Sequence, residues 1–275
     1  MTAPRIVSPA EVDWLDRAYA TTHPRFPIIG AVCSGLQQGF VWGAVNAQCP
    51  WVVVIHRSGF CQAFFRASPA LHECGEVAEL LQASAPQILP NYLMWYDPPA
   101  ELVERLSRAN YQNFRLRRRM RWQYRQTAQA LPVPAILAQH PSNRCVALNA
   151  DQVIQAGENG LVVPNRFWGS VDSFSANALA HGIVADGGQV HSICYAAAIH
   201  LAEAEVDVGT SADMSGQGLA SLCTSAFISA ATGKGISPFW DCFLDNDASM
   251  RLAKRLGFTP CGEYSFATFA LPSRR

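Results

Sequence analysis

The chain carries little charge. Asp, Glu, Lys and Arg make up 15% of its 275 residues, 21 acids balance 21 bases, and Lys234 and Lys254 are the lysines. A balanced chain has no bias towards nucleic acid or anionic membrane, so neither partner is expected. It also lacks a CxxC pair. Nine cysteines, an odd count, are scattered at Cys33, Cys49, Cys61, Cys74, Cys145, Cys194, Cys223, Cys242 and Cys261. That argues against a disulfide framework or a zinc site, and for reduced thiols in a cytoplasmic protein. No window approaches the roughly 20 apolar residues of a membrane span. The start, MTAPRIVSPAEVDWLD, carries acids early and no apolar run, so no signal peptide is expected. Repeats and low-complexity tracts are missing as well. What is there is 49% hydrophobic residues with 10% aromatics, which suits one large domain or two small ones and excludes disorder.

The first part reads as mixed α and β. Gly39–Ala44, Trp51–His56, Gly59–Phe65 and Asn91–Tyr96 have the β-branched and aromatic content of strands. Glu76–Gln82 has helical spacing, and Pro98-Pro99 opens a helix through Leu106. From Asn113 to Gln126 the period is two. Phe114, Leu116, Met120, Trp122 and Tyr124 share one face, interrupted by Arg118, and Arg115, Arg117, Arg119, Arg121 and Arg125 take the other. The arginine face reads as a solvated strand face whose stems cover apolar neighbours. A strip for phosphate or nucleic acid is the alternative.

PVPAILAQHPSN, after Leu131, is loop-like and marks the expected boundary between a region 1–130 and a domain 131–275. Beyond it, Ser170–Leu179 reads as a helix capped by Ser170. Gly182–Ala185 and Val190–Ile199 read as strands joined by the turn Asp186-Gly187-Gly188. A third strand, Ala204–Thr210, leads into Met214-Ser215-Gly216-Gln217-Gly218-Leu219-Ala220 and a helix to about Ala231. A glycine loop entering a helix exposes unpaired N–H groups at the positive end of the dipole, which suits a pyrophosphate. No Gly-Lys-Ser/Thr follows, and the third glycine and distal acid of a dinucleotide fingerprint are missing. Ile236–Phe243 reads as a strand, and Met250–Leu256 as a helix stopped by Gly257.

This order, with G-Q-G-L-A and then N-D-A-S-M-R-L-A-K-R-L-G-F, resembles the GNAT superfamily of N-acetyltransferases over about residues 165–260. Gly218 and Ala220 match the fourth and sixth positions of the family's [Q/R]-x-x-G-x-[G/A] motif, with Ser215 where Arg or Gln is usual. Phe167-Trp168, the run Pro238–Cys242 and N-D-A-S are similar to the branch containing the zwittermicin A self-resistance acetyltransferase. The resemblance implies an α/β (α+β) fold, a mixed, mainly antiparallel sheet flanked by helices, preceded by a smaller α/β region that is by analogy a degenerate acetyltransferase-like half. It implies acetyl-CoA as cofactor. Its pantetheine would run along Val208, Gly209 and Thr210, and its pyrophosphate would meet Ser215, Gly216, Gln217, Gly218, Leu219 and Ala220. Asn246 and Ser249 would lie near the pantetheine arm, and Lys254 or Lys234 would meet the adenosine phosphate. The alternative for both lysines is a solvated helix or loop residue.

Acetyl transfer to an amine needs a base, a polarised carbonyl and an acid for the leaving thiolate. A backbone N–H near Val208 or Gly209 suits the carbonyl. Glu203, Glu205 and Asp207 alternate along one strand, and Glu205 is nearest the family's general-base position. The same acids would otherwise face solvent or pair with the arginines. Asp241 is the competing base or ammonium anchor. The family's acid is a tyrosine where this chain has Ala253, which points to Ser249, whose alternative is helix capping. Tyr195 and Tyr264 are lesser candidates, Cys242 lacks a basic partner for covalent chemistry, and His191 and His200 read as structural. The expectation is an N-acetyltransferase acting on a small amine-bearing metabolite or antibiotic-like acceptor in a ternary complex. A non-catalytic acyl-CoA binder, a longer acyl donor, a protein amine and a homodimer stay open.

Overall fold

The computed structural model describes residues 5–43, 51–67, 71–84, 88–109, 111–125, 142–162 and 164–271. The chain forms two compact units, Met1–Arg119 with Glu263–Arg275, and Met120–Gly262. The loop at 130/131 lies outside the described residues.

In the first unit, β1 (Arg5–Val7), β2 (Gly39–Gly43), β3 (Trp51–His56) and β4 (Phe60–Phe65) form an antiparallel run. β5 (Tyr92–Tyr96) joins β4 in parallel at Phe60–Met94 and Cys61–Trp95. The end of β12 (Phe258–Ala270) lies antiparallel to β5. Helices α1 (Leu15–Thr21) and α2 (Pro27–Cys33) precede β2, while α3 (Leu71–Ser84) and α4 (Ala100–Arg108) flank β5 in sequence. Every residue of β3 is buried, as expected for an apolar strand covered on both faces. Leu102 and Leu106, one turn apart on α4, join Val77 and Leu81 of α3 against Trp51, Val53 and Trp95.

The second unit repeats that element order. β7 (Asn143–Ala147) leads to α5 (Ala150–Glu158), α6 (Pro164–Phe167) and α7 (Val171–Asn177). β8 (Ala180–Ala185), β9 (Val190–His200) and β10 (Glu203–Thr210) are antiparallel. Then come α8 (Leu219–Gly233), β11 (Ser237–Phe243) and α9 (Asp247–Arg255). The Asp186-Gly187-Gly188 turn is present, with Gly188 at φ 85° and its N–H donating to the Ala185 carbonyl at 2.8 Å. Ser170 caps α7 through Ser173 N–H at 3.0 Å. The helix is shorter than expected, ending at Asn177, and β8 begins earlier, at Ala180. α9 also begins earlier than expected, because Asn246 Oδ1 accepts from Ser249 N–H at 3.1 Å and caps it.

β6 (Arg115–Tyr124) holds the one clear surprise. Its first half is exposed on both faces, Leu116 included at 48%. In the second half both faces become partly or fully buried. Trp122 enters the core, as the period predicts, but Arg121 on the opposite face is 2% exposed rather than solvated. Its guanidinium forms a buried salt bridge with Asp241 and lies 4.4 Å from the centroid of the Phe239 ring. A charge at that depth persists when it is paired. Among the described residues no helix is long and apolar enough to cross a membrane.

Candidate active site

The site begins where two parallel strands part. β10 pairs with β11 at Glu203–Ser237, Ala204–Pro238 and Glu205–Phe239, and the pairing stops there. On its other side β10 stays with β9 to Thr210, with a shift of register between Glu205 and Val206. The backbone of Val206–Thr210 therefore lines a wedge open towards β11. Alternation sorts the side chains. Ala204, Val206 and Val208 pack on Leu219, Leu222, Cys223 and Phe227 of α8. Glu203, Glu205 and Asp207 consequently share the opposite face. On β11, Trp240 and Cys242 join the α8 cluster, which leaves Phe239 and Asp241 on the acid face.

The glycine loop follows the wedge. Gly216 and Gly218 have φ 78° and 81°, and Gly218 is the N-cap of α8, a conformation that costs any other L-residue. A Cβ on Gly216 would meet nothing within 4 Å, so the surface there is open. The N–H groups of Gly216, Gln217, Gly218, Leu219 and Ala220 have no acceptor among the described residues. The next N–H, from Ser221, donates to the Gly218 carbonyl at 3.0 Å. Four of these five residues, Gly216, Gly218, Leu219 and Ala220, line a cavity of about 280 Å³. Thr210, Ser215, Gly216, Gly218, Leu219 and Ala220 line it on one side, and Ala248, Leu252 and Arg255 of α9 on the other. Free N–H groups at a helix start with an arginine opposite are what a pyrophosphate requires, so the residues present fit the phosphate end of acetyl-CoA.

Arg255 is the residue that sequence reasoning missed. Its guanidinium donates to Ser221 Oγ at 2.6 Å across the cavity. Ala248, Leu252 and Arg255 recur at the i, i+4, i+7 spacing of one helix face, a signal available in the sequence. Lys254 is exposed and does not line the cavity. Lys234 caps the C-terminal end of α8, about 22 Å from the loop at 1.5 Å per residue. Its charge is felt instead by His181, whose pKa is lowered first by burial and then by this lysine. Gln217 turns its amide back to the Asp213 carbonyl at 3.3 Å.

Along the wedge, Val208 N–H donates to Asp207 Oδ1 at 2.9 Å. A Cβ on Gly209 would stand 2.8 Å from the Leu161 carbonyl oxygen, so that close approach requires glycine. Glu205 is 8% exposed at the last paired position before the strands part. Asp241 shares its face but is engaged by Arg121. Ser249 Oγ accepts from Trp240 Nε1 at 2.9 Å, which leaves the hydroxyl's own proton available to donate. Ala253, where the resemblance would place a tyrosine, is fully buried beside Trp240 in the same cluster. Tyr195 is buried and donates to Asp207 Oδ2 at 2.8 Å, while Tyr264 packs on Phe26 in the first unit. Asn246 acts as the α9 cap. Cys242 is buried among apolar side chains, and His191 and His200 lie along β9. Cys49 lies outside the described residues, and no group of metal-binding side chains occurs among those described.

Residues 138–267 match the model of the GNAT acetyltransferase family. An uncharacterised N-acetyltransferase of Bacillus subtilis, YdfB, is 33% identical over 100 residues, 36% of this chain and 38% of that relative's length. Among solved structures, a GCN5-related N-acetyltransferase-like protein from Streptococcus suis superposes with a TM-score of 0.68 at 18% identity, covering 96% of this chain and 100% of the other. A tandem GNAT protein from the clavulanic acid biosynthesis pathway superposes with a TM-score of 0.65 at 12% identity, covering 99% of each chain. The chain has the fold of the GNAT acetyltransferases, and its residues 138–267 carry the sequence likeness to that family.

Proposed function

We propose that this chain is an N-acetyltransferase that moves the acetyl group of acetyl-CoA to a primary amine of a small metabolite or antibiotic-like acceptor, by direct attack in a ternary complex. The observation that carries the proposal is the wedge between β10 and β11 ending at five unpaired N–H groups. In this reading Val208, Gly209 and Thr210 offer backbone groups to the pantetheine amides as an added strand would. The N–H groups of residues 216–220 and Arg255 hold the phosphates. Acetyl-CoA, when bound, supplies an activated acyl group on a thiol leaving group. Glu205, at the head of the wedge, takes the ammonium proton through water, since an alkylammonium with a pKa of about 10 is mostly charged at neutral pH. Ser249, oriented by Trp240, returns a proton to the thiolate. Asp241, balanced by Arg121, shapes the wall of the site.

The likeness of Phe167-Trp168 and Pro238–Cys242 to the self-resistance branch supports a small antibiotic-like acceptor. The first unit, with the same element order but no glycine pair after β4 (Arg66-Ala67-Ser68-Pro69-Ala70), is on this proposal a degenerate half. The buried Ala253 favours a second reading, an acyl-CoA binder without turnover. Calorimetric titration with acetyl-CoA, followed by thiol release against a panel of amines, separates them. Binding with release supports the enzyme, binding without release the sensor, and no binding removes the cofactor assignment.

A further inference from the structure

Ser192 lies on β9, on the side that faces α8, and is fully buried away from the cavity. Its hydroxyl nevertheless reaches both halves of the site. It donates to the Gly209 carbonyl at 3.0 Å, and it lies 2.8 Å from Thr210 Oγ1 and 3.3 Å from Cys223 Sγ. A serine hydroxyl has one proton and two lone pairs. With the proton given to Gly209, Thr210 and Cys223 are the donors in the other two contacts, and the hydroxyl's capacity is full. Gly209 and Thr210 end the wedge, and Thr210 also lines the cavity. Cys223 stands near the start of α8 and shares its thiol proton with the Ala220 carbonyl at 3.4 Å. Ala220 in turn carries one of the unpaired N–H groups. Along the chain the two halves are joined only through residues 211–215, a largely exposed turn. Ser192 is thus a direct tie between the end of the wedge strand and the first turns of α8. A buried network whose members are all satisfied fixes a single geometry.

We propose that Ser192 is a positioning residue for the cofactor, setting the spacing between the wedge end that would hold the pantetheine arm and the glycine loop that would hold the pyrophosphate. The inference rests on the cofactor reading of the wedge and loop. Ser192 itself touches neither half of the ligand and acts through Gly209, Thr210 and Cys223. The two halves of acetyl-CoA are covalently joined, so they need strand and loop held within about 0.5 Å of the productive spacing. A shift of the loop against the strand therefore weakens a ligand that spans both, and leaves a ligand that meets the loop alone unaffected. A general loosening of the fold would weaken the two ligands alike.

The test compares the wild type with Ser192→Ala, Cys223→Ala and Cys223→Ser. Calorimetry reads the Kd of acetyl-CoA, displacement calorimetry reads that of ADP, which spans the loop alone, and far-UV dichroism checks folding. No amine acceptor is needed. Ser192→Ala should raise the Kd of acetyl-CoA about 3- to 10-fold, the worth of a neutral hydrogen bond, and leave that of ADP within about twofold. Cys223→Ala removes only the tie to α8 and should raise the Kd of acetyl-CoA about 2- to 3-fold. Cys223→Ser, whose hydroxyl can donate to the same oxygen, should recover most of that loss. If Ser192→Ala does not fold, the two Cys223 variants decide the matter. Unchanged acetyl-CoA affinity in the folded alanine variants, an equal loss for ADP and acetyl-CoA, no recovery in Cys223→Ser, or failure of ADP to displace acetyl-CoA from the wild type would each overturn the proposal. Absence of acetyl-CoA binding by the wild type would remove the cofactor reading as well.

Discussion

Adjacent cations at the end of α9 offer a sharp trial of the cofactor site. Arg255 lines the cavity and reaches Ser221 Oγ at 2.6 Å, while Lys254 projects to solvent. A hydrogen bond to a charged group is worth about 1.5–3 kcal/mol. Arg255 is exposed, so screening lowers its contribution to about 1–2 kcal/mol. At 1.4 kcal/mol per decade, Arg255→Gln should weaken acetyl-CoA binding about 5- to 30-fold. Lys254→Gln should stay within about twofold, since an exposed charge outside the cavity acts through a screened field. Titration calorimetry at low ionic strength reads both, and added salt should narrow the gap. Loss of affinity in Lys254→Gln with none in Arg255→Gln would refute the placement of the phosphates between α8 and α9.

Gly218→Val should weaken acetyl-CoA binding at least about tenfold, because a left-handed N-cap costs an L-residue about 1–2 kcal/mol and the strain misaims the loop donors; calorimetry with a dichroism control reads it. Ser249→Ala should lower kcat for thiol release about 100-fold with acetyl-CoA affinity unchanged, as loss of a general acid does. If kcat holds, Ser249 is a cap and nothing more. Arg121→Met should destabilise the protein by about 3–5 kcal/mol in urea unfolding by stranding Asp241, and the double change with Asp241→Leu should recover much of that. Burial pushes the thiols of Cys33 and Cys223 up to about 12. An unfolded thiol ionises near pH 8.5, so the native state holds its protons longer. Their contribution to stability is therefore full below about pH 8.5 and lost as pH rises towards 12, which thermal unfolding across that window should show as a falling midpoint.

Local chemistry made much of this molecule legible in its sequence. The Asp-Gly-Gly turn, the Ser170 cap and the two glycines before α8 each meet a backbone requirement within a few residues, so the hairpin and the glycine loop could be read along the chain. The alternation of Glu203, Glu205 and Asp207 with Ala204, Val206 and Val208 likewise assigned the two faces of β10. Tertiary structure decided what depends on partners distant in sequence. Arg121 is buried because Asp241, 120 residues away, arrives beside it. Asp207 is oriented by a tyrosine on the neighbouring strand. Arg255 faces the cavity while Lys254 does not, because the rotation of α9 is set by where Ala253 and Leu256 pack, and neighbours on a helix point about 100° apart. The first compact unit is discontinuous in sequence, which no local pattern encodes, since the breaks fall inside strands whose residues read alike on either side.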